Sequence, residues 1–207
     1  MIDQPFGAIV ASLASKTPTP GGGAAAAMAG SMGAALFVMV VRFSRGKKAN
    51  LDRDAELAAA ETRLDALVQE LLPMAERDCR SFDAVSAAYA LPKDTDAQKA
   101  AREAAVQQGM LGAMEVPELT LGLVRAVFTA IEPVVGCVGK AIASDLASGA
   151  ALLAAAAEGA FLNVKINAAY LTDRPRAEAA LGRATAVRDQ VRAAQAKITA
   201  AVDRLLA

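Results

Sequence analysis

The chain has 207 residues, enough for one domain with a substantial core and short for two. Hydrophobic residues make up 55% but aromatics only 4%, with no tryptophan and abundant alanine, a composition that points to closely packed helices in an all-α fold. Its 22 basic and 22 acidic residues cancel, which removes the charge footprint of a general nucleic-acid binder, and the lack of any histidine excludes a Ser-His or Cys-His nucleophile.

In chain order, residues 3–15 predict a short amphipathic helix that "KTPTPGGG" terminates, because prolines and glycines cannot continue it. A long apolar helix is expected over about 24–44, closed by the basic turn "SRGKK". Helical periodicity then runs to about residue 89, with a kink or break at Pro73. Thr95 and Gln98 have the spacing of a capping box, opening a helix that Pro117 is expected to bend or split. Residues 141–170 read as a further small-residue helix, and 175–206 as a final amphipathic one. With no boundary, repeat or strand alternation in view, residues 1–207 are expected to form a single-domain bundle of five to seven helices.

The uncharged run from Ala24 to Val41 reaches the length of a membrane span. Its alanines and glycines drive insertion into lipid only weakly, and the surrounding amphipathic helices call for a protein core instead. Ala26, Gly30 and Gly33 share one helical face on which another backbone can approach closely, which points to a core or homodimer interface. Gly21, Gly23 and Ala26 match a dinucleotide-loop spacing, but without the required preceding strand. Two readings remain for Gly21, Gly22 and Gly23: backbone N–H groups offered to a ligand at a helix N-terminus, or a tight helix–helix corner. Cys79 and Cys137 are isolated thiols without CxxC pairing. Together with an N-terminus whose Asp3 stands where a signal peptide would be basic, they fit a cytoplasmic protein. With no histidine and two cysteines, no metal site is expected.

The blocks "PTPGGGAAAAMAGSMGAALFVMVVRFSRGKK", "RDCRSFDAVSAAYALPKDTDAQKAAR", "EVPEL" and "NVKIN", in this order over residues from about 6 to 173, resemble the formiminotransferase-cyclodeaminase C-terminal family. That resemblance implies an all-helical homodimer acting on a tetrahydrofolate substrate in one-carbon metabolism, with no cofactor or metal beyond the folate itself. The "AYALPKDTDAQKAAR" stretch looks closer to the family's stand-alone cyclohydrolases than to its bifunctional enzyme, so the activity that the resemblance implies is hydrolysis of 5,10-methenyltetrahydrofolate to 10-formyltetrahydrofolate. The alternatives are cyclodeamination of 5-formiminotetrahydrofolate and a non-catalytic folate-binding dimer.

Either reaction needs one group that takes a proton and one that gives it. Asp78 is the first choice, because its "RDCRSF" setting matches the stretch where the family carries its proposed acid; an ordinary solvated helix acid is the competing reading. Lys93, in a loop after Pro92, could polarise a leaving nitrogen or hold the glutamate tail. Asp145, a carboxylate in an apolar segment, completes the expected catalytic set, with helix capping as its other reading. Asn163 and Asn167 share a helical face and could read pterin edges, and Arg45, Lys47 and Lys48 suit folate carboxylates. One departure stands out: the family's usual Gly-Asn pair before Ser144-Asp145 is missing here, where the chain reads "VGCVGKAIASD".

Overall fold

The computed structural model describes residues 3–207. Its α-helices are α1 (Phe6–Leu13), α2 (Gly22–Ser44), α3 (Asp54–Leu71), α4 (Met74–Tyr89), α5 (Asp96–Ile131), α6 (Ala143–Ala169) and α7 (Arg174–Leu206), joined by turns and short 3-10 segments with no strand among the described residues. This is the expected all-α bundle. The break at Pro73 falls between α3 and α4. The capping box at the start of α5 is complete: Thr95 Oγ1 accepts from the Gln98 N–H at 3.2 Å, and Gln98 Oε1 accepts from the Thr95 N–H at 3.1 Å. Pro117 does not split α5, which continues through it as one 36-residue helix.

At the centre lie α2 and α6, running antiparallel. α3, α4 and α5 also pack on α2, while α5 and α7 pack on α6. α2 is long and apolar enough to cross a membrane by length and composition, as are stretches of α5 and α6. In the folded chain its side chains Phe37, Val40 and Val41 are instead fully buried among the other helices. Phe37 meets Phe128 of α5 edge to face, ring centroids 5.8 Å apart.

The small-residue face of α2 packs inside the subunit, where the sequence left open a core or a dimer interface. Gly30 lies over Ala156, Ala26 over Gly159, and Gly33 against Gly149 and Leu153. A Cβ on Gly33 would fall 2.8 Å from the Gly149 carbonyl oxygen, so the two backbones approach this closely only because both positions are glycine. The opposite face of α2 stays partly open: Met32, near the helix midpoint, is 46% exposed. α1 contributes a single buried residue, Ile9, and leaves Phe6 69% exposed.

Candidate active site

The antiparallel α2–α6 pairing brings the glycine turn before α2 to the C-terminal half of α6. Gly22 faces Asn163 there, a Cβ on Gly22 falling 3.5 Å from Asn163 Nδ2. α4 crosses the same end and delivers Asp78 to the first turn of α2. These elements enclose a cleft of about 360 Å³ lined by Gly21, Gly22, Gly23, Asp78, Asn163 and Asn167, with Ser81, Phe82 and Tyr170 at its walls.

Asp78 is the half-buried carboxylate of this cleft, set beside the first turn of α2, where the Ala24 backbone N–H pulls its pKa down. That N–H is one of the donors a helix start leaves without an internal partner, and the Asp78 carboxylate of α4 lies beside it. Burial pushes the Asp78 carboxyl above its usual range, more than the Ala24 N–H pulls it down. Among the described residues no salt bridge engages it, and no lysine or arginine lines the cleft. The carboxyl therefore sits in an environment that favours a cationic or neutral ligand over an anionic one.

Gly23 has a role that sequence reasoning missed. It makes room for the Asp78 carboxylate: a Cβ on Gly23 would lie 2.6 Å from Asp78 Cγ and 2.7 Å from Oδ2. The two asparagines are fixed by backbone contacts, Asn163 Nδ2 donating to the Gly159 carbonyl at 2.9 Å and Asn167 Nδ2 to the Ala113 carbonyl at 2.8 Å. Each amide is held in place with its Oδ1 making no hydrogen bond among the described residues, a fitting acceptor for ring N–H groups. Phe82 stands one turn on from Asp78 on the same helical face, as the sequence implies; Tyr170 follows the asparagines at the spacing 163, 167, 170 and Ser81 follows Asp78 by three, so helical periodicity could have found these two as well.

The remaining expected residues lie elsewhere in the subunit. Arg45, Lys47 and Lys48 follow the C-terminus of α2, about 33 Å from Gly23 at the helical rise, and Asp145 opens α6, about 27 Å from Asn163. Arg45 pairs with Glu61 at 2.8 Å and Asp54 at 3.3 Å, so its charge is satisfied by α3. Lys47 and Lys48 carry no ion pair among the described residues. Beside them the buried Asn50 ties the Ser44 and Cys137 carbonyls together at 2.8 and 2.9 Å. Lys93 sits in the exposed turn between α4 and α5, at the far end of α4 from Asp78.

The profile of the formiminotransferase-cyclodeaminase family matches residues 5–186. This chain belongs to that family. It is 42% identical over 168 residues to the methenyltetrahydrofolate cyclohydrolase of Methylorubrum extorquens, covering 80% of each chain. To the formimidoyltransferase-cyclodeaminase of Gallus gallus it is 35% identical over 173 residues, which are 84% of this chain but only 32% of the bird protein. The formiminotetrahydrofolate cyclodeaminase structure from Thermotoga maritima superposes with a TM-score of 0.88 over 99% of this chain and 98% of the other, at 23% identity, which establishes the shared fold.

Proposed function

We propose that this chain is a methenyltetrahydrofolate cyclohydrolase, converting 5,10-methenyltetrahydrofolate and water to 10-formyltetrahydrofolate. The observation that carries the reading is Asp78, a half-buried carboxyl with a raised pKa in a cleft without lysine or arginine. The methenyl substrate carries positive charge on the carbon bridging N5 and N10. Binding that cation beside Asp78 favours the ionised carboxylate and stabilises the substrate's charge.

In the proposed reaction the Asp78 carboxylate removes a proton from water as the oxygen bonds to the methenyl carbon. The tetrahedral adduct then opens at N5, and the carboxylic acid returns the proton to that nitrogen. Loss of the remaining hydroxyl proton leaves the formyl group on N10. Asn163 and Asn167 orient the pterin through their carbonyl oxygens, and the Gly22–Gly23 backbone allows the ring to approach the first turn of α2. No metal is needed for these steps. The identity to the Methylorubrum enzyme favours hydrolysis, while the relation to the vertebrate bifunctional proteins supports cyclodeamination of 5-formiminotetrahydrofolate as the second reading. The test is to follow the methenyl absorbance with each substrate separately. Loss from the methenyl compound faster than in buffer supports the hydrolase; its appearance from the formimino compound supports the deaminase; no change in either refutes both.

A homodimer is the accompanying proposal. The outward row Met28, Met32, Ala35 and Met39 of α2 is apolar, and α6 beside it exposes Ala151, Ala155 and Leu162. A two-fold axis near Met32 would set the two α2 helices antiparallel, turning the partner's basic turn and Asp145 end toward this subunit's cleft. Met32→Asp is then expected to sediment as a monomer and to lose activity. A wild-type protein that sediments as a monomer at micromolar concentration would refute the dimer.

A further inference from the structure

Between α4 and α5 a second groove of about 440 Å³ begins at Ser81, the residue it shares with the cleft. Its lining is mostly small, Ala84, Ala87, Ala88, Ala105, Gly109 and Gly112 with Gln108 beside them, and no carboxylate lines it among the described residues. Two basic residues stand just beyond its lining at the Leu91 end. Arg102 continues the Ala105–Gly109–Gly112 row one turn earlier on α5, and Lys93 stands two residues past Leu91, which closes the groove.

Arg102 is held against Tyr89. Its Nε donates to the Tyr89 carbonyl at 3.1 Å, and the guanidinium carbon lies 5.3 Å from the Tyr89 ring centroid. Its two terminal nitrogens make no hydrogen bond or ion pair among the described residues, and neither does the Lys93 ammonium. From Ala113 in the cleft to Arg102 the rise along α5 is about 16 Å, room for an aromatic ring joined to an amino acid.

Building on the folate reading of the cleft, we propose that this groove is the subsite for the arm of the substrate, the benzoyl ring lying on the alanine and glycine floor and the glutamate carboxylates meeting Arg102 and Lys93. A planar ring fits a groove built largely of alanine and glycine, with Gln108 as its one amide side chain, and a planar guanidinium engages a carboxylate with two parallel hydrogen bonds. This gives Lys93 a binding role at the opposite end of the ligand from the proton chemistry at Asp78.

The test compares calorimetric binding of tetrahydrofolate with that of 6-methyltetrahydropterin, which lacks the arm, so it does not depend on turnover. Wild type is expected to prefer tetrahydrofolate, and Arg102→Gln to lower that preference about tenfold, the loss of roughly one charge-assisted contact. Gly112→Leu fills the groove from a position where an added Cβ meets no neighbour, and is expected to lower the preference by a similar factor. Lys99→Gln, whose ammonium pairs with Asp96 outside the groove, is expected to preserve it. Equal affinity of wild type for the two ligands, or an unchanged preference in both Arg102→Gln and Gly112→Leu, would overturn the subsite. A protein that shows the Arg102-dependent preference yet leaves methenyltetrahydrofolate intact would keep the subsite and lose the hydrolase.

Discussion

Gly23 and Asp78 share one volume: the carboxylate of Asp78 occupies the space a side chain on Gly23 would fill, with Asp78 Cγ 2.6 Å from the position of the missing Cβ. A glycine on α2 thereby determines how deeply an acid on α4 is buried. That burial in turn raises the acid's pKa.

Gly23→Ala is expected to displace Asp78 from the Ala24 N–H and lower kcat about a hundredfold, within the range a misplaced proton-transfer group costs. The pH profile separates this from simple destabilisation. An Asp78 moved into water recovers an ordinary carboxyl pKa, so the acid limb of kcat/KM should move to lower pH. An unchanged limb would mean that Gly23 does not set the environment of Asp78.

The raised pKa of Asp78 has a signed effect on stability. Between the unfolded carboxyl pKa of about 3.9 and the higher folded value, the folded state holds the proton more tightly, so stability from this group is present below that window and is lost as pH rises through it. Asp78→Asn keeps an acceptor for the Ala24 N–H and never ionises. Its stability relative to wild type should therefore increase from pH 4 to pH 7 in urea denaturation, whereas Asp78→Ala should cost about 1 kcal/mol relative to Asn at either pH by removing that acceptor. An Asn variant that loses ground as pH rises would contradict the direction of the shift.

Two glycines should respond in opposite senses to alanine. Gly33→Ala places a Cβ 2.7 Å from Leu153 Cγ and 2.8 Å from the Gly149 carbonyl, which the helix backbone cannot vacate, so a loss of about 1–3 kcal/mol is expected. Gly122→Ala, within α5 with no atom near the added carbon, should gain about 0.5–1 kcal/mol from helix propensity. Urea midpoints measure both. Similar effects at the two sites would show that the α2–α6 contact is looser than described.

The helices were legible because apolar periodicity and local stop signals act within a few residues: Pro73 divides α3 from α4, and Thr95 with Gln98 opens α5. Pro117 does not divide α5 because tertiary packing can hold a long helix together through a proline; Pro117 itself is buried. Half of the site was legible. Asp78, the glycine turn and the two asparagines converge because α2 and α6 run antiparallel, a pairing that the small-residue face of α2 suggested without naming its partner. No local pattern reports that Arg45 would be neutralised by α3, whereas the place of Asp145 at the start of the helix that carries Asn163 and Asn167 near its end was readable from the expected bounds of that helix. The socket at Gly23 depends on a contact across 55 positions, which no spacing within one helix encodes.

The most direct measurement is the rate of methenyl absorbance loss with 5,10-methenyltetrahydrofolate, for wild type and Asp78→Asn side by side at one pH. The expected result is wild-type hydrolysis well above buffer, and an Asn variant that folds and binds the substrate but is slower in kcat by about a hundredfold or more. An Asn variant as fast as wild type would contradict the account, because the proton transfers would then not pass through Asp78.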